Sequence, residues 1–268
     1  PLFFSQNVFN AAATLRAVTA LVLFCLVSSS VYLLNDVRDR ERDRRHPTKR
    51  LRPVASGRLS VPLALAIMLI LFGAAIAGGS ALSKTFTLII AAYWFVNLLY
   101  SIGLKDTVIL DVFAIAFGFV MRVVAGAVVI EVEISHWILI CTTLLALFLG
   151  FSKRRHELTL LGDGASSHRN VLADYSPQFL DMMIGIVTAS TVMSYTLYTV
   201  SEETVRRFQT DRLLLTVPFV LFGIFRYLYL VYQKNQGGNP ARELLTDGSI
   251  IVNLCLWAGV TGIIIFWG

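Results

Sequence analysis

Residues 35–58 read NDVRDRERDRRHPTKRLRPVASGR, and this polar stretch lies between two apolar runs of about twenty residues each. It contains nine of the 23 lysines and arginines and four of the 17 acids. Asp36, Asp39 and Asp43 are spaced i, i+3 and i+7, and Asn35 precedes Asp39 by four residues. At about 3.6 residues per helical turn, this spacing brings the four side chains to one face of a helix.

Carboxylates that share a helix face repel each other unless a cation lies between them. Oxygen-rich clusters of this kind suit Mg²⁺, which is usually shared with substrate phosphates. We therefore predict a metal site with these ligands: Asn35, Asp36, Asp39 and Asp43. Pro47 ends or kinks the helix, and basic residues that can bind phosphate follow it: Lys49, Arg50, Arg52 and Arg58.

The alternative is a solvated cytoplasmic loop that obeys the positive-inside rule. This alternative explains the arginines of the stretch. It does not explain the regularly spaced acids, because acids contribute little to membrane topology.

The composition is that of a polytopic membrane protein. Of the 268 residues, 56% are hydrophobic and 15% are charged, whereas soluble domains carry about 25% charged residues. The net charge of +6 is concentrated in a few loops, which indicates membrane topology and an anionic substrate, not nucleic-acid binding. Cys25, Cys141 and Cys255 lie far apart within apolar runs and are interpreted as buried structural thiols.

The apolar runs predict an all-α bundle of eight membrane spans: 13–34, 61–82, 85–103, 108–130, 134–151, 178–200, 212–233 and 248–267. Their alternation groups four loops on one side of the membrane: 35–60, 104–107, 152–177 and 234–247. These loops carry sixteen lysines and arginines, and the opposite loops carry four. The positive-inside rule assigns the first set to the cytoplasm. We expect a multi-pass protein of the cell (inner) membrane with its site on the cytoplasmic face.

Charged residues within the spans are costly in lipid and usually face a bundle interior or a wet cavity. Asp111 and Arg122 are eleven residues apart and lie on nearly the same face of one predicted helix. Interhelical ion pairs and substrate contacts remain equal alternatives for these two residues. For Asp181 a structural ion pair is the alternative to a functional role. Arg226 is interpreted as a structural residue.

The loop at 152–177 opens with Lys153, Arg154 and Arg155, followed by His156 and Glu157. A basic run that leaves a span is common. This one gains weight because it faces the same side as the aspartate stretch, which makes it a candidate phosphate site. His156 and His168 lack the spacing of a metal motif and are interpreted as solvated or phosphate-contacting.

The segment from Tyr100 to Lys105 predicts a tight turn on the cytoplasmic side. Two roles remain open for Lys105. It can form a surface pair with Asp106, or it can hold its ammonium over a phosphate.

The pattern Asn35-Asp36-x-x-Asp39-x-x-x-Asp43 resembles the first aspartate motif of the UbiA superfamily of intramembrane prenyltransferases. The resemblance covers essentially the whole chain, as one domain over residues 1–268. It implies a bundle of nine transmembrane helices around a lipid-facing cavity, and so one further helix before Pro1. It also implies that the aspartates hold a diphosphate through Mg²⁺.

Further motifs resemble the decaprenyl-phosphate phosphoribosyltransferase branch of that superfamily: His46-Pro47-x-Lys49-Arg50-x-Arg52-Pro53-x-Ala55-x-Gly57, Tyr100-x-x-x-Leu104-Lys105, Arg122-x-x-Ala125-Gly126 and the run from Lys153 to Glu157. Members that prenylate aromatic acceptors carry a second aspartate-rich motif in the loop that corresponds to 152–177. Here that loop begins with basic residues, so we expect direct basic contacts to a phosphate in place of a second Mg²⁺ clamp.

This branch implies transfer of 5-phosphoribosyl from 5-phosphoribosyl 1-diphosphate (PRPP) to a membrane polyprenyl (decaprenyl) phosphate, a step toward a cell-wall arabinan precursor. The aspartates would hold Mg²⁺ on the leaving diphosphate and so act as the catalytic residues. The substrate-binding set that the resemblance and the charges imply is Asn35, Lys49, Arg50, Arg52, Tyr100, Lys105, Asp111, Arg122, Lys153, Arg154 and Arg155.

Two other function classes fit the sequence. One is a UbiA-type prenyltransferase that moves a prenyl group from a prenyl diphosphate to an aromatic or other small acceptor. The other is a non-enzymatic lipid transporter. A transporter would carry charges at midplane helix breaks and show internal repeats. The polar residues here instead concentrate in loops on one side.

Overall fold

The computed structural model describes residues 2–45, 49–161 and 170–267. Within these residues the secondary structure is helical, and eight helices are long and apolar enough to cross a membrane. This confirms the all-α, polytopic prediction. Residues 46–48 and 162–169, which include His46, Pro47, His168 and Arg169, lie outside the described part.

The chain divides into two compact units, one comprising residues 1–134 and 166–171 and the other residues 135–165 and 172–268. The helices of the first unit are α1 (Ala11–Arg38), α2 (Arg40–Arg45), α3 (Val61–Leu82), α4 (Lys84–Ile102) and α5 (Leu110–Val129), with 3₁₀ turns at Lys49–Leu51 and Leu104–Asp106.

The helices of the second unit are α6 (His136–Leu161), α7 (Pro177–Val200), α8 (Glu202–Phe208), α9 (Val217–Gln233), α10 (Pro240–Thr246) and α11 (Gly248–Trp267). A 3₁₀ turn at Arg212–Thr216 leads into α9, and another spans Asn170–Asp174 at the boundary of the two units.

Two helices continue well past the spans that the sequence predicts. The first span was predicted to end at residue 34, but α1 continues to Arg38; the fifth was predicted to end at 151, but α6 continues to Leu161. Hydropathy reports the length of the apolar segment, and a helix that leaves the bilayer can continue in polar residues. Both charge-rich stretches therefore begin on a rigid helix.

Close approach of α1 to α3 organises the first unit. A Cβ atom at Gly78 would lie 2.6 Å from a methyl group of Leu23, which shows how closely the two helices approach at this glycine. Phe24 and Val27 of α1 are buried in the same cluster as Tyr93 of α4 and Met121 of α5. This packing fixes the direction in which the end of α1 presents its acids.

The second unit is held by polar contacts between helices. Arg226 of α9 donates two hydrogen bonds to Asp247, from Nε to Oδ1 at 3.1 Å and from Nη2 to Oδ2 at 2.8 Å. Asp247 also accepts a hydrogen bond from the backbone N–H of Ile250 in the first turn of α11. The structural interpretation of Arg226 agrees with this contact.

The cysteines are free, and Cys25 and Cys255 are exposed. The interpretation of buried thiols was wrong for these two. In a membrane span, an apolar surrounding can be lipid as well as protein.

Candidate active site

The aspartate stretch lies where α1 gives way to α2. Asp36 is in the last turns of α1, Asp39 terminates that helix, and Asp43 is in α2. The backbone N–H of Asp39 donates to the Asn35 carbonyl at 2.8 Å, and that of Asp43 donates to the Asp39 carbonyl at 2.8 Å. The helical hydrogen-bond pattern therefore continues across the break at Asp39.

Asp36 and Asp43 converge on one cationic group. Nη1 of Arg52 donates to Oδ1 of Asp36 and to Oδ2 of Asp43, both at 2.9 Å. One nitrogen can reach both oxygens only if they face the same point. The Asp43 side chain is 6% exposed, whereas the Arg52 side chain is 41% exposed. Two fixed carboxylates thus surround a cation that retains access to water.

Asp39 faces a different cation. Nζ of Lys105 donates to Oδ1 of Asp39, and Lys105 is buried in the 3₁₀ turn between α4 and α5. Asp106 contacts Arg42 instead, at 3.7 Å. The structure therefore pairs Lys105 with Asp39 of the aspartate stretch, and a role for its ammonium over a phosphate stays a prediction.

Arginines of the stretch fix the following loop through backbone contacts. Nε of Arg44 donates to the Ala55 carbonyl at 3.1 Å, and Nη2 of Arg58 donates to the Leu51 carbonyl at 2.9 Å. Nη2 of Arg38 donates to the Ile102 carbonyl at the end of α4. These contacts could not be predicted from residue types, because every residue has a backbone carbonyl that can accept a hydrogen bond.

The donor set fits a divalent cation in part. Asp36 and Asp43 supply converging carboxylates, and Oδ1 of Asn35 is buried without a hydrogen-bond partner in the described part of the chain. Among residues 2–45, 49–161 and 170–267, no three His, Cys, Asp or Glu side chains are close enough together to hold a metal ion. The reason is that Asp39 points to Lys105. The four-residue metal site stays a prediction.

The remaining predicted residues of the first unit lie in α4, in α5 and in the 3₁₀ turn at Lys49–Leu51. Asp111 is fully buried in the first turn of α5, which packs against the turn that carries Lys105. Ile109 precedes it at φ +70°, a strained conformation for a β-branched residue. Tyr100 and Lys49 are half-buried, and Arg50 is exposed.

Arg122 is held away from these residues. It lies eleven residues beyond Asp111, about 17 Å along α5. Its Nη2 donates to the hydroxyl of Tyr93 at 2.9 Å, and its guanidinium lies over the rings of Phe24, Tyr93 and Phe119 at 5.6, 5.3 and 4.9 Å. An ion pair with Asp111 is therefore excluded. Tyr93 was not predicted from the sequence, because a tyrosine hydroxyl on another helix is an uncharged partner with no local spacing signal.

The predicted phosphate residues of the second unit are engaged with acids. Arg154 is buried, and its Nη1 lies 2.6 Å from Oε2 of Glu157. Nε of Arg155 lies 2.5 Å from Oδ1 of Asp181, and its guanidinium stacks on the Tyr232 ring at 4.1 Å. The hydroxyl of Tyr232 also donates to Asp181. Lys153 is half-buried on the same helix. For Asp181, the structural ion pair is the alternative that the geometry supports.

His156 packs against a glycine pair. A Cβ atom at Gly238 would lie 2.7 Å from Cδ2 of His156, so only glycine permits this contact. Gly237 has φ +126°, and its N–H donates to Oε1 of Glu243 at 2.6 Å. The ring of His156 is thus part of a packed corner of the second unit.

Comparison with known proteins agrees with the motif and the fold. Residues 3–246 match the model of the UbiA prenyltransferase family. The chain belongs to the UbiA prenyltransferase family. As a member, it is a polytopic membrane protein, in agreement with the eight apolar helices in the part that the structure describes.

Curated relatives in this family are transferases by name. Decaprenyl-phosphate phosphoribosyltransferase of Mycolicibacterium smegmatis is 31% identical, with 92% of this chain and 80% of that protein covered. The Corynebacterium glutamicum protein of the same name is 31% identical over 94% of this chain and 76% of its own. The Mycobacterium tuberculosis protein of the same name is 29% identical over 93% and 81%.

Solved UbiA structures share the fold. A UbiA homologue from Archaeoglobus fulgidus bound to GPP and Mg²⁺ matches with a TM-score of 0.71 at 18% identity, over 93% of this chain and 87% of that one. The same homologue bound to DMAPP and Mg²⁺ matches with a TM-score of 0.72 over 94% and 88%. The UbiA-like bundle that the sequence predicts is therefore confirmed.

Proposed function

We propose that this UbiA-family transferase moves 5-phosphoribosyl from PRPP to a membrane polyprenyl phosphate and releases pyrophosphate. The observation that carries the proposal is the agreement of a whole-chain likeness with a local geometry. Relatives of that name align with more than nine-tenths of the chain. Two carboxylates where α1 meets α2 converge on the half-exposed guanidinium of Arg52.

Asp36 and Asp43, with Asn35, are the residues that would hold Mg²⁺ in this proposal. The bound metal would neutralise the leaving diphosphate. Arg52 occupies the same point in the structure and is 41% exposed. With a metal held there, Arg52 would be displaced and could contact the diphosphate oxygens through its guanidinium.

Lys105 and Asp39 form the second polar pair of the site. Lys105 is 10% exposed, so its ammonium is held in position and partly desolvated. Charge in such an environment interacts more strongly with an anion than it does in water. Lys105 is therefore suited to bind the phosphates of PRPP, with Asp39 as its orienting partner. Lys49 and Arg50 flank the loop and extend the positive surface.

The chemistry requires positioning and charge stabilisation. The bond between C1 of the ribose and the diphosphate oxygen breaks, and its electron pair leaves with pyrophosphate. An oxygen of the lipid phosphate forms the new bond to C1. That oxygen is already anionic near neutral pH, so the reaction needs no general base. Fixed charges at the end of α1 supply the stabilisation.

The cytoplasmic orientation rests on charge. The loops on the side of the aspartate stretch hold sixteen lysines and arginines, against four on the other side. PRPP is water-soluble and is expected on that side. Arg154 and Arg155 have carboxylate partners. Lys153, which is half-buried on the same helix, stays a candidate for the 5-phosphate or the lipid phosphate.

A paired donor assay tests the proposal. Purified protein with Mg²⁺ receives either radiolabelled PRPP and a polyprenyl phosphate, or a prenyl diphosphate and 4-hydroxybenzoate. We expect label from PRPP in the organic phase. Prenylated benzoate instead would move the protein to the aromatic-prenylating branch, and inactivity with both donor pairs, in protein that is folded and binds Mn²⁺, would contradict the proposal.

A further inference from the structure

A cavity of about 360 Å³ lies inside the first unit, on the opposite half of the helices from the aspartate stretch. Its lining is mainly apolar and comes from α1, α4, α5 and the segment before α1. Leu21, Phe24 and Phe86 contribute apolar side chains, and Ser28 contributes a hydroxyl. Arg122 is the charged residue in this lining.

Arg122 carries a charge that the described part of the chain does not neutralise. A guanidinium has five N–H donors, and the hydrogen bond to the Tyr93 hydroxyl uses one of them. Within the described residues Arg122 forms no ion pair. Glu131, which follows α5, pairs with Arg16 at 2.9 Å. The three aromatic rings orient the guanidinium, but they accept no conventional hydrogen bond.

This cavity is separate from the aspartate stretch. Ser28 precedes Asp36 by eight residues on α1, and Phe24 precedes it by twelve. These separations correspond to about 12 Å and 18 Å along a helix. An anion at Arg122 therefore does not contact Arg52 or the carboxylates that Arg52 joins.

We propose that Arg122 and this cavity form a second binding site, which takes the phosphate group of a lipid. Phosphate oxygens satisfy the unused N–H donors in the paired geometry that suits a guanidinium. The first carbons of the lipid chain contact Leu21, Phe24 and Phe86. A volume of about 360 Å³ is at the lower end of the range for ligand cavities, so it holds the head and the start of a chain.

A lipid fits the site better than a soluble anion does. Arg122 lies in the middle of a 20-residue apolar helix, and α1 places Phe24 near its own midpoint. A small hydrated anion would lose its water on reaching this depth with little compensation. A lipid reaches this depth from within the bilayer, and its apolar chain has an apolar surrounding both before and after it binds.

Two sources can supply a lipid phosphate. One is the polyprenyl phosphate of the proposed reaction, which would then have a binding position away from the aspartates. The other is a resident phospholipid of the membrane. Only the first source rests on the proposed function, and binding at Arg122 can be measured without turnover.

The test is a lipid titration of the purified full chain in neutral detergent, followed by native mass spectrometry. The probes are farnesyl phosphate, its neutral counterpart farnesol, and phosphatidic acid. The variants are Arg122→Gln and, as a matched control, Arg16→Gln, which removes the other arginine of the helices in the same half of the unit. A lost charge-assisted contact predicts that Arg122→Gln weakens farnesyl phosphate binding about 10- to 100-fold, while Arg16→Gln does not.

The outcomes separate the possibilities. Binding of farnesyl phosphate that depends on Arg122 and exceeds that of phosphatidic acid identifies the acceptor lipid as the source. Equal, Arg122-dependent binding of phosphatidic acid identifies a resident phospholipid. Equal binding by Arg122→Gln and the wild type, or equal binding of farnesol and farnesyl phosphate, overturns the proposal.

A second variant guards against loss of folding in Arg122→Gln. Ala17→Phe fills the cavity from α1 and leaves the charge in place. It is expected to weaken farnesyl phosphate binding as well, and unchanged binding in this folded variant also contradicts the proposal. Asp36→Asn is expected to retain the Arg122-dependent binding while it loses transfer. That result separates this site from the proposed function.

Discussion

The two charge-rich stretches of the molecule, residues 35–58 and 152–157, look alike in sequence but differ in structure. Each follows an apolar span, and each begins on the polar extension of a helix. In the first, carboxylates of Asp36 and Asp43 face a half-exposed arginine. In the second, Arg154 is 2% exposed and is already bound by Glu157 on its own helix. A substrate site whose cation must be displaced on binding requires the first arrangement, in which the arginine is half-exposed.

The comparison teaches that the number of charges does not identify a ligand site. The exposure of each charge and the identity of its partner do. Removing one member of a buried ion pair is costly, because the other member is left as an uncompensated charge. A half-exposed arginine between two acids can be displaced at low cost.

The largest expected effect breaks the first arrangement. Asp43→Asn removes one of the two converging carboxylates, and we expect transfer to fall by ~10²–10³-fold, as for other losses of preorganised electrostatic stabilisation. The melting temperature should change little, because Arg52 retains Asp36. The measurement is initial rate together with thermal unfolding in detergent.

The control for that variant is Glu41→Gln, since Glu41 lies in the same short helix and forms an exposed pair with Arg44. It should transfer at the wild-type rate. A wild-type rate in Asp43→Asn, or the same loss in Glu41→Gln, would remove the carboxylate pair from the mechanism.

The next effect concerns the second stretch. Arg154→Met removes a buried guanidinium and its ion pair with Glu157, and we expect the free energy of unfolding to fall by about 3 kcal/mol. The KM for PRPP should stay unchanged in the folded fraction. Chemical denaturation and steady-state kinetics measure the two quantities. An intact protein with a strongly raised KM would instead make residues 152–157 a second phosphate site.

A smaller effect sharpens the assignment of His156 to packing. Gly238→Ala introduces a Cβ atom in conflict with the His156 ring, and we expect a loss of about 1–3 kcal/mol. The double variant with His156→Ala should recover part of that loss, because the conflicting ring is gone. Strictly additive losses in this double-mutant cycle would argue against the contact.

The smallest effect is a pH dependence of stability at Asp247, which lies between α10 and α11 of the second unit. The hydrogen bonds from Arg226 hold the pKa of Asp247 below its ordinary value. Because the pKa of Asp247 is lower in the folded state, its carboxylate stabilises the fold at pH values above the ordinary pKa of about 4. This contribution is lost as the pH falls through the folded-state pKa. The difference in melting temperature between wild type and Asp247→Asn should therefore shrink below pH ~4. A difference that stays constant from pH 7 to pH 3 would contradict the linkage.

Much of the fold could be predicted from the sequence, because apolar length and charge bias are local properties. The eight spans were predicted within a few residues, except where polar residues extend α1 and α6. The aspartate spacing predicted a common face, and Asp36 and Asp43 do share one cation.

Contacts between distant segments could not be predicted. Lys105 meets Asp39 across 66 positions, and Arg122 meets the hydroxyl of Tyr93 on another helix. The sequence offered Lys105 a neighbour in Asp106 and Arg122 a helical companion in Asp111. Packing of α1 against α4 and α5 decided both cases differently.

The most direct test of the central claim is Mn²⁺ binding, measured by electron paramagnetic resonance in the presence of pyrophosphate. We expect wild type and Glu41→Gln to bind the metal–pyrophosphate complex. Asp36→Asn and Asp43→Asn should bind it at least ~10-fold more weakly, because each lacks one of the two converging carboxylates. Equal binding by all four proteins would contradict the assignment of the metal–diphosphate site to the end of α1.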